Sequence, residues 1–351
     1  MGTMPAYRVV DWQQPPALVE TEVPEPAPGQ VRVRVAGCGL CHSDITMTQM
    51  PEEFGLALGW QAPFTLGHET AGWIDALGAG VAGFAEGDAV ALASPASCGA
   101  CRWCLRGQEN ACPNGLVGRG YGRDGGLATH VLVDDIRGLL PIGSLDPAIA
   151  GPLTDAGATS YHAVHRVAPH LHADSTVVVQ GLGGLGAFVV QILRATTDAR
   201  VVGIDPNPER RAFGLELGAH DVLEGVDAET PRALREVLGA AGADAVIDLV
   251  GTDDTIRTGV GALAAGGALA VVGAAGGTLR RPWYGTLPRD GAVFTFQGSD
   301  LADARAVLVL ADEGRITVPV DTFTLDEVEA AYEAMQAGTL RGRAVVRPPS
   351  A

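Results

Sequence analysis

Residues 31–35, Val-Arg-Val-Arg-Val, alternate apolar and polar at period two, the mark of a strand with one buried face. Similar short runs at 71–74 and 87–92, separated by Gly and Pro after a Pro-rich turn at 24–29, predict an irregular, mostly antiparallel barrel reaching to about residue 150. The pattern changes near Thr176. Val177-Val178-Val179-Gln180 is a compact β-branched run, followed by the glycine-rich turn Gly181-Leu182-Gly183-Gly184-Leu185-Gly186 and then by a helix over 188–193. A strand at 200–204 ends at Asp205. Helices over 208–217, 230–240 and 252–264 then alternate with strands near 221 and at 245–250 and 268–272, which predicts a doubly wound parallel sheet. The helix 325–337 and strand 344–347 should return to the first domain and make it discontinuous.

Length agrees with two domains, since 351 residues exceed one ordinary core. The formal charge of −17 argues against nucleic acid or an anionic membrane as partner and leaves a small molecule as the expected one. All 24 basic residues are arginine, which excludes lysine Schiff bases, P-loop lysines and the Tyr-x-x-x-Lys pair. No signal-peptide pattern opens the chain, so a cytoplasmic location is the expectation. The uncharged run 260–277 is rich in glycine and reads as a helix end, turn and buried strand rather than a membrane span.

Cys98, Cys101, Cys104 and Cys112 form C-x-x-C-x-x-C-x7-C in a loop. Four thiols so close cannot pair as disulfides without strain, and the spacing suits a closed four-cysteine zinc site that would stabilise a lobe over 95–115. Gly181, Gly183, Gly184 and Gly186 occupy the strand–turn–helix context of a dinucleotide fingerprint. Asp205 ends the next strand, where a carboxylate accepts from ribose hydroxyls and repels a 2′-phosphate. NAD is therefore expected over NADP, with Arg210 and Arg211 keeping the rival open. Cys41, His68 and Asp155, with Glu69 beside His68, could supply sulfur, nitrogen and oxygen to a metal that keeps one position for water. Nothing in spacing or periodicity brings these segments together.

Gly-Leu-Cys-His-Ser-Asp at 39–44, Gly-His-Glu at 67–69, the four-cysteine lobe and Gly-Leu-Gly-Gly-Leu-Gly, in this order, resemble the zinc-dependent medium-chain alcohol dehydrogenases, and the bacterial secondary-alcohol branch in particular. The resemblance covers essentially the whole chain. It implies a GroES-like catalytic domain over 1–156 and 298–351, a Rossmann NAD-binding domain over 157–297, and an active site in the cleft between them. It implies two zinc ions per chain: a structural one on Cys98, Cys101, Cys104 and Cys112, and a catalytic one on Cys41, His68 and Asp155, with Glu69 a transient ligand. Many members carry a second cysteine at the place of Asp155.

In the same family, Asp44 corresponds to the carboxylate that orients the ligand histidine, and Ser43 to the hydroxyl that bonds the reacting oxygen. His42 and Arg343 correspond to pyrophosphate contacts, Arg210 to an adenosine-ribose contact, and Thr159 to a neighbour of the nicotinamide. Thr46 stands where many members place a relay histidine; its hydroxyl can pass a proton but cannot store one near neutral pH, which leaves water to finish the path beyond Ser43. Trp60, Trp283, Tyr284, Phe296 and Gln297 are pocket candidates by analogy, Cys38 reads as packing, and His162, His165, His170 and His172 as a solvated helix end and loop. The implied activity interconverts secondary alcohols and ketones, aryl-alkyl ones included, by hydride transfer with NAD, in a homodimer or homotetramer. The rivals are a polyol or amino-alcohol dehydrogenase of the same fold and a non-catalytic zinc and dinucleotide-binding protein.

Overall fold

The computed structural model describes residues 2–349 apart from 95, 228 and 283. The chain divides into two compact units. Met1–Ala158, Gly298–Glu313 and Val318–Ala351 form the first, Thr159–Gln297 and Gly314–Thr317 the second. The first therefore runs two residues past the expected boundary at 156, and residues 314–317 leave it for the second. The reason for the latter is local: the Thr317 backbone N–H and hydroxyl donate to Oε1 of the buried Gln191 at 2.8 and 3.0 Å, and Gln191 Nε2 returns a bond to the Thr317 carbonyl.

In the first unit the strand Val31–Gly39 is central. Val31, Val33 and Val35 point into the core, while Arg32 turns out to Asp75 at 2.6 Å and Arg34 lies over the Trp73 ring. The alternation read from sequence thus becomes one buried and one polar face. The strand pairs antiparallel with Glu69–Leu77, His130–Val133 and Arg343–Arg347. Among the described residues, only Val320–Thr324 against Arg343–Arg347 is parallel in this sheet. Two registers fix the strand end: Gly39 lies opposite Glu69, and opposite Val345 on its other side. The residues that leave these strand ends, Leu40 to Asp44 and Gly67 to His68, are thereby neighbours.

The second unit is a six-stranded parallel sheet in the order Asp221–Glu224, Arg200–Asp205, Thr176–Gln180, Ala243–Asp248, Leu263–Val271, Ala292–Thr295. Val178, Val202, Val246 and Leu269 are fully buried on its central strands, as β-branched runs covered on both faces should be. The strand expected at 268–272 begins at Leu263, directly after the helix Asp253–Ala262, with no separate turn. Gly266, at φ +81°, and a register shift opposite Ala243–Ala245 accommodate the join. No helix among the described residues is long and apolar enough to cross a membrane.

Candidate active site

One ligand-capable atom from each of Cys41, His68, Glu69 and Asp155 lies within 4.8 Å of the others, in the first unit. Sheet register explains the convergence. Cys41 comes after the end of Val31–Gly39 and caps the short helix His42–Thr48, His68 precedes Glu69–Leu77, and Asp155 succeeds the turn Gly151–Thr154 packed on both strands. Gly39 has no alternative there, because a Cβ would overlap the Glu69 carboxylate on the paired strand.

Asp44 ties the segments together. Its Oδ2 accepts from the Cys41 backbone N–H at 2.9 Å and from the Tyr332 hydroxyl at 3.1 Å, and its Oδ1 stands 3.2 Å from His68 Nδ1. The last pair, both wholly buried, is close enough for an ion pair but not aligned as a hydrogen bond. A carboxylate at Nδ1 turns Nε2 toward Asp155, whose Oδ2 is 3.4 Å away. Burial opposes charge on His68, but Tyr121, Asp44 and Asp155 overcome it and hold the imidazole well above its ordinary pKa. Burial likewise opposes ionisation of Asp155, yet His68 and Arg343 bring its carboxyl down to about 2. Sulfur, imidazole and an ionised carboxylate, packed this closely, fit a divalent metal with three protein ligands.

Glu69 stands in the cluster as expected, and Arg343 pairs with it. Arg343, 5% exposed, bonds Glu69 through both Nε (3.0 Å to Oε2) and Nη2, and reaches within 3.9 Å of Asp155. It is a buried counterion of the carboxylate cluster, a contact that the resemblance did not name. Burial pushes the Glu69 carboxyl up to about 7 against the pull of Arg343. Arg343 is drawn here because its strand pairs with the end of Val31–Gly39, opposite Gly39 and Cys38.

Tyr121 escaped the sequence reading. Its hydroxyl lies 3.1 Å from Ser43 Oγ and 3.1 Å from His68 Nε2, and its ring lies 4.5 Å from the imidazole. Trp60 backs it at 5.9 Å, anchored by its own N–H to the Leu116 carbonyl. The available signal was the run Gly120-Tyr121-Gly122. Both glycines have φ above +70°, and a Cβ would strike the Gly67 backbone at Gly120 and the Trp60 ring at Gly122.

The other expected residues lie apart from this cluster or at its edge. His42 and Thr46 are exposed, the Thr46 hydroxyl returning to the His42 carbonyl, and Cys38 is fully buried against Thr70. In the second unit Thr159 is buried on the helix Ala156–Val167, Phe296 meets the His162 ring edge-on at 4.5 Å, Gln297 is exposed and Tyr284 is 83% exposed. His162 is itself buried rather than solvated, and His170 Nδ1 donates to the Gly266 carbonyl. Trp283 lies outside the described residues.

In the cysteine lobe the four sulfurs are unbonded thiols separated by 3.5 to 4.0 Å along the Cys98–Cys104, Cys101–Cys104, Cys101–Cys112 and Cys98–Cys112 edges. A tetrahedron with metal–sulfur bonds of about 2.3 Å has edges of about 3.8 Å, so these thiols already outline one. Backbone donors at Ala100 and Cys101 and the Asn114 side chain lower the Cys98 thiol to about 6, while burial pushes Cys104 up to about 12. Among the described residues no fifth His, Cys, Asp or Glu joins this donor set.

In the second unit Gly181 takes φ +91°, and a Cβ at Gly186 would overlap the Gly181 carbonyl, so the turn and the helix packed on it both require glycine. Gly183 caps the helix Gly184–Thr196, whose first N–H groups point out of the turn. Asp205 is held at the strand end by the N–H groups of Leu182 and Asn207, each at 2.8 Å. Arg211 is spent on the Asp205 and Pro206 carbonyls, whereas the Arg210 guanidinium lies where a Cβ on Gly183 would touch it, with a buried Nε that bonds nothing among the described residues. A helix N-terminus, a guanidinium with an unused N–H and a fixed carboxylate suit a nicotinamide dinucleotide.

Residues 27–144 match the alcohol dehydrogenase GroES-like domain, and residues 184–313 the zinc-binding dehydrogenase domain. The chain is 32% identical to a D-arabinose 1-dehydrogenase (NADP(+)) of Saccharolobus solfataricus, over 96% of this chain and 95% of that one. It is 33% identical to an NAD-dependent alcohol dehydrogenase of Sulfurisphaera tokodaii, over 98% and 100%. Among solved structures, the acetophenone reductase of Geotrichum candidum in complex with NAD superposes with a TM-score of 0.85 at 26% identity, over 98% and 97%. With two such domains and relatives of this length and identity, the chain belongs to the zinc-dependent medium-chain alcohol dehydrogenases and is an oxidoreductase.

Proposed function

We propose that this chain is an NAD-dependent alcohol dehydrogenase of the secondary-alcohol branch, interconverting secondary alcohols and ketones, aryl-alkyl ketones among them. The observation that carries the reading is the cluster of Cys41, His68 and Asp155 donors beside the Ser43 hydroxyl. These three residues would hold a catalytic zinc with Glu69 in reserve, and Cys98, Cys101, Cys104 and Cys112 a structural one. A bound zinc supplies Lewis acidity that makes an alcohol's oxygen easier to deprotonate, and the nicotinamide accepts or gives the hydride. The protein's part is placement and proton handling. Asp44 fixes the His68 ring, Arg343 balances the Glu69 and Asp155 charges, and Ser43 carries the alcohol proton away or returns it. Thr46 cannot store a proton near neutrality, so the onward path runs through water. Asp205, fixed by two backbone donors, receives the ribose hydroxyls and disfavours a 2′-phosphate, with Arg210 over the glycine turn and His42 and Thr159 as further cofactor contacts. Trp60, Phe296 and Gln297 are proposed to bound the substrate.

A second reading takes an aldose or polyol as substrate, and the D-arabinose dehydrogenase relative favours it. A panel decides: NADH oxidation with acetophenone and small aliphatic ketones, against NAD and NADP reduction with D-arabinose and sorbitol. Turnover confined to the sugars would overturn the ketone assignment. The small-molecule substrate and a homodimeric or homotetrameric assembly in the cytoplasm complete the proposal.

A further inference from the structure

Ser43 is a short side chain on the first turn of the helix His42–Thr48, and a serine hydroxyl turns easily about its C–O bond. To deliver a proton to one place it needs a partner that fixes the other side of its oxygen. The described residues offer one, the Tyr121 hydroxyl at 3.1 Å. Tyr121 cannot drift, because its ring is held between the His68 imidazole and Trp60, Trp60 is itself anchored to Leu116, and both flanking glycines pack where no Cβ fits.

His68 Nε2 is the second partner of the phenol. Once that nitrogen ligates a metal, it has neither a proton to give nor a lone pair to receive. The Tyr121 O–H is then left with Ser43 Oγ as its acceptor. We propose that Tyr121 is a positioning residue: by donating to Ser43 Oγ it occupies one lone pair, which leaves the other to accept from the reacting hydroxyl while the serine's own proton points to the onward path.

This role rests on the reading of Ser43 as the first proton carrier. It also gives metal loading a consequence, since ligation of His68 commits the phenol to Ser43. Tyr121 touches neither substrate nor cofactor in this scheme and acts through the serine alone. No bond other than hydrogen bonds is made or broken by it; the proton that leaves the alcohol oxygen goes to Ser43 Oγ as the serine's own proton passes on to water.

The test is a double-mutant cycle of Tyr121→Phe and Ser43→Ala on the metal-loaded enzyme, read by kcat and by the visible spectrum of the protein with Co(II) in the catalytic site. Phenylalanine keeps the ring between His68 and Trp60 and removes only the hydroxyl. The expected result is that Tyr121→Phe retains full zinc content and thermal stability and loses roughly 10- to 100-fold in kcat with little change in KM. In the Ser43→Ala background the same change costs less than about twofold. The Co(II) bands shift in each single variant and shift no further in the double. Equal losses in both backgrounds, or no loss at all, would overturn the proposal. So would depletion of zinc from Tyr121→Phe, which would make the tyrosine a structural support of His68. If the wild type turns over neither ketones nor sugars, the function reading fails, while additive or coupled Co(II) shifts still decide the role of Tyr121.

Discussion

Arg343 Nε lies 3.0 Å from Glu69 Oε2, joining the last strand of the chain to the residue beside His68. Both side chains are buried, and Asp155 is 3.9 Å from the same guanidinium. One cation thus faces two carboxylates that would otherwise repel each other in a region with little water. Desolvation makes such a pair a poor source of net stability, yet it makes the loss of one member expensive.

Arg343→Met should therefore destabilise the protein by about 3–5 kcal/mol, because it removes the cation that Glu69 and Asp155 share and leaves two buried carboxyl groups to face each other without it. Urea unfolding of the chain measures it. Arg343→Met combined with Glu69→Gln should recover much of the loss, as the neutral amide needs no counterion. If the double variant is as unstable as the single, the pair is not the source of the cost.

Asp155→Ala should reduce the metal content from two zinc ions per chain to one, with the four-cysteine site kept. Activity should fall by more than about a hundredfold, since even outer partners of a metal ligand are worth ten- to hundredfold. Asp155→Cys should retain both ions, a thiolate being an equally charged ligand of comparable reach. Elemental analysis reads both variants. Two zinc ions in Asp155→Ala would place the third ligand elsewhere, with Glu69 the next candidate.

The parts of this molecule that could be read from the chain are those written locally. The cysteine spacing places four sulfurs on one loop whatever the rest does, and the period-two run at 31–35 becomes a strand with its valines inside. The glycine turn and Asp205 obey a strand–turn–helix rule within one unit of chain. The metal cluster is different in kind. Cys41 meets His68 because Gly39 pairs with Glu69, and Arg343 arrives because Val345 pairs with Gly39 on the other side, and strand register is invisible to periodicity. Only the family resemblance supplied that convergence. It did not name the Arg343 ion pair, which this register sets, and it passed over Tyr121, whose position depends on two left-handed glycines flanking it.

Cys104→Ser should open the lobe while leaving the catalytic cluster in place. The buried Cys104 thiol closes two of the four sulfur edges, and the lobe has little apolar core to hold it once a ligand is lost. Arg102 and Arg106 are exposed within it. As the chain has no lysine, trypsin cuts only at arginine, so cleavage after these two should quicken by about tenfold or more as local opening becomes easier. Metal content should drop by one. An unchanged cleavage rate would mean that the loop is held by something other than its metal.

Cofactor choice turns on Asp205. Its carboxylate is fixed by the Leu182 and Asn207 N–H groups, and it stands at the strand end where the ribose hydroxyls or a 2′-phosphate would go. Asp205→Asn removes the repulsive charge and keeps one acceptor oxygen for the backbone, while Arg210 remains over the turn to meet a phosphate. The ratio of kcat/KM for NADPH to that for NADH should rise by about 10- to 100-fold, one to three kcal/mol being the usual worth of such a charged hydrogen bond. Steady-state kinetics with both cofactors measures it. The NADP-dependent D-arabinose relative makes this the sharpest comparison, because a wild type that already prefers NADPH would mean that Arg210, and not Asp205, governs the adenosine ribose.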